Sequence, residues 1–178
     1  YTTGAVGKWH LGFGAGKKAD YSKPLTPGAN DVGFDYFFGI PSSLDIPPYL
    51  YVRNNLPVKP LSTKVAGSKH RRQKGGGFWR AGQVSEDFKH IEVLPRIASE
   101  AVKFIERSSG NPATQPFFLY FPLTAPHTPW LPVKEFRGRS KAGHYGDFVA
   151  QVDHVIGQVA AALEKSGQAK NTLLIVTS

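Results

Sequence analysis

The chain has 178 residues, 40% of them hydrophobic and 12% aromatic, which supplies the core of one domain and excludes a disordered or fibrous protein. It contains no Cys, which excludes disulfides and thiolate metal sites within it, and no apolar run reaches the length needed to span a membrane. The formal net charge of +9 favours a polyanionic partner, whether nucleic acid, an anionic membrane surface or a sulfated polysaccharide.

Tyr1 to Val6 reads as a short buried strand, followed by Gly7-Lys8-Trp9-His10-Leu11-Gly12, a loop opened and closed by glycine. Residues 13 to 83 are rich in Gly, Pro and Asn, with turn signals such as Pro27-Gly28, and form a loop-rich region of the kind that serves a site. Within it Gly33 to Gly39 and Tyr49 to Val52 are candidate short strands. Pro95 suits a first helical turn. The apolar stripe Ile97, Ala98, Ala101, Val102, Phe104 and Ile105 then predicts a helix to Arg107, closed by Gly110.

Pro116 to Pro122 has the composition of a buried strand. Tyr145, Phe148, Val149, Val152, Val155, Ile156, Val159 and Leu163 recur at helical spacing and predict a long helix ending near Gly167. Thr172 to Ser178 returns as a strand. Strands alternating with helices predict an α/β fold with a mostly parallel sheet flanked by helices. Because strand-like runs stand at both ends, the chain reads as an internal piece of a longer protein.

Ligands of open parallel sheets bind beyond the carboxyl ends of the strands. That rule selects Lys8 and His10 after the first strand and His127 after the Phe117 to Phe121 strand. An ammonium and two imidazoles converging there would hold an oxyanion and exchange protons near neutral pH. Lys8 and His10 also alternate with Trp9 and Leu11, as the polar face of an extended segment does, and His127 between prolines suits a surface loop. Asp45, in Ser42 to Tyr49, is either an acceptor for sugar hydroxyls or a turn residue bonded to its own backbone. Trp130 either stacks on a sugar or covers the sheet edge. The basic run from Lys64 through Lys69, His70, Arg71, Arg72 and Lys74 reads first as a solvated loop and second as a contact for a sulfated glycan.

Gly7-Lys8-Trp9-His10-Leu11-Gly12 resembles the second signature of the type I, formylglycine-dependent sulfatases, arylsulfatase-like members of the alkaline phosphatase-like superfamily. Gly33 to Gly39, Pro116 to Tyr120, Ala125-Pro126-His127-Thr128-Pro129 and Leu174 to Ser178 resemble later landmarks of that family, in its order, while Lys59 to Gln83 matches none. The resemblance implies that residues 1 to 178 are a fragment of the N-terminal catalytic domain. It implies a sulfuric ester hydrolase, acting on sulfated carbohydrate through a covalent formylglycine mechanism. Lys8 then resembles the lysine that contacts sulfate and formylglycine, and His10 the histidine beside the formylglycine hydrate. His127 resembles the histidine at a sulfate oxygen and the leaving-group oxygen, and Trp9 reads as a packing residue.

The formylglycine precursor, in a Cys/Ser-x-Pro-x-Arg motif, and the calcium ligands are expected outside residues 1 to 178, so the fragment alone is expected to be inactive. The family also implies a formylglycine-generating or equivalent maturation enzyme and a periplasmic or secreted location. The rival readings are a phosphonate or phosphodiester hydrolase of the same superfamily and a noncatalytic polyanion-binding module. Nucleic acid is not an expected partner, because the basic run carries no aromatic residue before Phe78 and Trp79. A membrane is not expected either.

Overall fold

A computed structural model describes residues 1–16, 18–70, 76–109 and 115–177. In chain order its elements are β1 (Thr2–Lys8), β2 (Tyr36–Ile40), β3 (Val52–Arg53), β4 (Leu56–Pro57), β5 (Leu61–Val65), β6 (Gly82–Ser85), α1 (Val93–Ser108), β7 (Phe117–Tyr120) and α2 (Gly143–Lys165). The main sheet has the order β4-β3-β2-β1-β7. β1 runs parallel to β2, from Gly4 opposite Tyr36 to Lys8 opposite Ile40, and parallel to β7, from Thr2 opposite Phe117 to Ala5 opposite Tyr120. The parallel centre is as expected. β3 and β4 extend it antiparallel, and β5 and β6 form a separate antiparallel pair.

Successive side chains of a strand point to opposite faces, so Val6 and Phe38 enter one core while Ala5 and Phe37 enter another. The first core is closed by helices. Val93, Ile97, Ala101 and Ile105 recur along one stripe of α1 and pack with Val159, Ala162 and Leu163 of α2. Each such fully buried large side chain stabilises the fold by roughly 1.5–3 kcal/mol relative to exposure. The second face is roofed by the connection between β1 and β2, through Trp9, Phe13, Leu25 and Ala29. Trp9 meets Phe13 and Phe37 at ring-centroid distances of 6.3 and 5.9 Å, which makes it the packing residue expected.

Several expectations are corrected. β7 is half-buried rather than buried: Phe118 and Tyr120 are 53% and 46% exposed at the sheet edge. Residues 172 to 177 are not a strand, because Leu173 to Val176 lie exposed with no ladder partner among the described residues. Tyr145 and Val149, placed in the apolar stripe of α2, are exposed. Polar Asp147 and Gln151 are buried there instead. Asp147 accepts from the backbone N–H groups of Gly138 and Ser140, both at 2.7 Å, and Gln151 accepts from Val133 N–H at 3.0 Å. Satisfied this way, two polar side chains fasten the 133–140 loop to the helix. Gly110, expected to close α1, and Ser178 lie outside the described residues.

Candidate active site at the carboxyl ends of the parallel strands

The chain leaving β1 is stitched to both neighbouring strand ends. Lys8 N–H donates to the Pro122 carbonyl at 2.9 Å, beyond β7. Trp9 and His10 N–H donate to the carbonyls of Ile40 and Pro41, at 3.0 and 2.9 Å, at the end of β2. This closeness depends on two glycines opposite each other in register. A Cβ on Gly7 would collide with the Pro122 carbonyl, and one on Gly39 with the Gly7 carbonyl. The three strand ends therefore deliver three loops to one edge: Lys8 to Gly12, Pro41 to Tyr49, and Pro122 to Leu131.

His10 sits at φ 56, in the left-handed region that disfavours a side chain. That turn breaks the alternation of an extended segment: Trp9 goes inward, while His10 and Leu11 both face outward. Lys8 is half-buried at the end of its strand. The polar-face reading of Lys8 and His10 is thereby replaced by a tight turn that presents an exposed imidazole two residues beyond a half-buried ammonium stem.

His127 is 40% exposed, with its ring fixed from behind. Its Nδ1 lies 2.7 Å from the Thr128 carbonyl. A carbonyl oxygen only accepts, so Nδ1 carries the hydrogen of that bond and Nε2 is the nitrogen left to exchange a proton. Asp45 Oδ1 lies 3.8 Å from the same Nδ1, an ion-pair distance rather than a hydrogen bond.

Asp45 is 1% exposed and is not bonded to its own turn. Its Oδ2 accepts from Arg80 Nη1 at 2.9 Å, and its backbone carbonyl accepts from Arg80 Nη1 at 3.1 Å and from Arg80 N–H at 3.2 Å. A buried carboxylate requires such a partner. Arg80 was not singled out in the sequence, and its signal was faint: a basic residue beside Phe78 and Trp79, at the edge of a run read as solvated loop.

Beneath the pair, Tyr49 O–H donates to the Arg80 carbonyl at 2.8 Å, and burial pushes the Tyr49 phenol up to about 12. His90 lies with Trp79 at 4.7 Å and Tyr49 at 4.5 Å between ring centroids. Burial lowers the His90 imidazole to about 4, against a smaller opposing effect of the Leu44 backbone.

Trp130 donates its indole N–H to the Pro126 carbonyl at 3.1 Å and stands edge-on to Tyr145 at 5.2 Å, so its ring braces the His127 loop against α2. Its backbone N–H donates to the Gly76 carbonyl at 2.8 Å, which ties the same loop to the segment returning into β6. Lys64 lies on exposed β5, and Lys69 and His70 are exposed beyond it. Arg71, Arg72 and Lys74 of the basic run lie outside the described residues. Among the described residues no group of three or more His, Asp or Glu side chains is arranged to hold a metal ion. No described helix is long and apolar enough to cross a membrane.

A family model described as Sulfatase matches residues 1–178. The N-acetylgalactosamine-6-O-sulfatase of Bacteroides thetaiotaomicron is 32% identical, over the whole chain and 40% of that protein. The N-acetylgalactosamine-6-sulfatase of Rattus norvegicus is 31% identical, over the whole chain and 30% of its length. A solved structure described under metabolism of multiple glycosaminoglycans by Bacteroides thetaiotaomicron (BT33336S-sulf) superposes with a TM-score of 0.81 at 29% identity, over 97% of this chain and 41% of that one. The chain thus spans well under half the length of these relatives.

Proposed function

Because this chain belongs to the sulfatase family over residues 1–178, we propose that the full-length protein hydrolyses sulfate esters of saccharides and releases inorganic sulfate. The observation that carries this reading is the backbone stitching of the Lys8–His10 turn to the strand ends that lead into Asp45 and His127. It sets the loops that carry Lys8, His10 and His127 beside one another at the edge where a parallel sheet binds its ligands, which supports a shared oxyanion site. The names of two relatives, both sulfatases of N-acetylgalactosamine 6-sulfate, support a sulfated amino sugar as the substrate class.

A formylglycine elsewhere in the full-length chain would supply the nucleophile. Lys8 binds a sulfate oxygen as a compact cationic donor and balances its charge. His10, exposed on its left-handed turn, takes and returns a proton beside the nucleophile. His127 binds near the leaving oxygen. As the S–O bond to the sugar breaks, the electron pair stays on that oxygen and the proton on His127 Nε2 moves to it.

The family implies calcium, but the described residues offer no oxygen-rich cluster for it, and no step here is routed through a metal. A maturation enzyme that makes the formylglycine and a periplasmic or secreted location complete the proposal.

The test compares, for the matured full-length protein, release of sulfate from N-acetylgalactosamine 6-sulfate with release of phosphate from the matched 6-phosphate. Faster turnover of the sulfate ester supports the reading, and faster turnover of the phosphate ester overturns it.

A further inference from the structure

We propose that Asp45, held by Arg80, is a positioning residue that orients His127 for proton delivery to the leaving oxygen, and not a ligand of the sugar. The inference rests on the reading of His127 as the leaving-group acid. Three observations carry it. Asp45 is 1% exposed, which leaves its carboxylate little surface with which to meet a sugar hydroxyl. Arg80 grips both its Oδ2 and its backbone carbonyl, so the carboxylate is fixed in rotation as well as in place. Its remaining oxygen, Oδ1, is buried without a hydrogen-bond partner and lies 3.8 Å from His127 Nδ1.

The Thr128 carbonyl and Asp45 Oδ1 both lie at the Nδ1 edge of the ring. That edge keeps its hydrogen and Nε2 is directed away from both acceptors. Thr128 is adjacent to His127 in sequence and moves with the loop. Asp45 belongs to a different loop, cross-linked by Arg80 to the segment entering β6, and so gives the ring a reference outside its own loop.

A residue that acts through the leaving-group acid matters in proportion to how badly the leaving oxygen needs a proton. The experiment measures kcat of the matured full-length protein on substituted phenyl sulfates that lack any sugar and span a wide range of leaving-group acidity. Wild type, Asp45→Asn, His127→Ala and the double variant are compared. The expected loss for Asp45→Asn is about 100-fold on the poorest leaving group and less than about 3-fold on the most acidic, following the selectivity of His127→Ala. In the His127→Ala background Asp45→Asn should cost nothing further.

If Asp45→Asn does not fold, Arg80→Gln, at a partly exposed guanidinium, decides the matter by showing the same selectivity with a smaller loss. A loss equal across all leaving groups, or additive with His127→Ala, overturns the positioning role. A wild-type enzyme that releases no sulfate from any phenyl sulfate or from the sugar sulfate overturns the sulfatase reading, and the role of Asp45 with it.

Discussion

Gly39 and Gly7 face each other across the parallel β1–β2 pair so closely that a Cβ on Gly39 would overlap the Gly7 carbonyl oxygen. The next register pair, Lys8 with Ile40, begins the turn that carries His10. Gly39→Ala should therefore push the two strand ends apart, destabilising the full-length protein by about 1–3 kcal/mol as overpacking does. Chemical denaturation measures this, and sulfate release should fall with it. An unchanged midpoint would mean that the strand ends are looser than described.

Lys8→Ala, His10→Ala and His127→Ala should each lower kcat/KM at least about 100-fold, as loss of charge stabilisation or proton transfer does. His10 and His127 are exposed and Lys8 half-buried, so melting temperatures should change little. A variant with wild-type rates removes that residue from the site.

His10 also allows stability and activity to be separated. At φ 56 its backbone suits glycine better than any residue with a Cβ. His10→Gly should be as inactive as His10→Ala yet more stable than it by roughly 1 kcal/mol, which parallel thermal melts would read. Equal stabilities would show that the left-handed turn carries no strain.

His90 sets an acid limit on the support beneath Asp45. Its folded-state value of about 4 lies below its ordinary 6.5 because of burial. Between these values the unfolded chain binds a proton that the folded chain does not, so stability rises with pH across that window. It is lost progressively as the pH falls from 6.5 towards 4, by up to about 3 kcal/mol. The melting temperature of wild type should drop more than that of His90→Phe between about pH 7.5 and about pH 5. Equal drops would assign the acid sensitivity to other groups.

Both helices and the three parallel strands were legible because their apolar residues repeat at the periods of helix and strand. The positions of Lys8, His10 and His127 at strand ends were legible for the same reason, since Lys8 closes β1 and His10 and His127 lie beyond β1 and β7. The Asp45–Arg80 pair was not, since 35 residues separate its members and nothing local in the sequence links an acidic turn to a distant basic one. β5 escaped notice because Leu61 to Val65 is largely exposed and has no buried alternating face to betray it. The inward-facing Asp147 and Gln151 interrupt the apolar stripe of α2, where burial rewards hydrogen bonds that the sequence does not display. Leu173 to Val176 shows the converse: an apolar composition describes a capacity to pair, and pairing needs a partner strand.

The hairpin of β5 and β6 belongs to a sheet of its own, joined to the rest through the Tyr49–Val84 bridge, the Arg80 bonds to Asp45 and the Trp130 bond to Gly76. The segment between the two strands is tied to the site at two of its own residues, Arg80 to Asp45 and Gly76 to Trp130 of the His127 loop. A displacement of Arg80 is passed to Asp45, and one of Gly76 to the His127 loop. Loops remote from each other in the chain, at Asp45 and at Trp130, thus share one support, and their separation is set by the stretch of chain between Gly76 and Arg80.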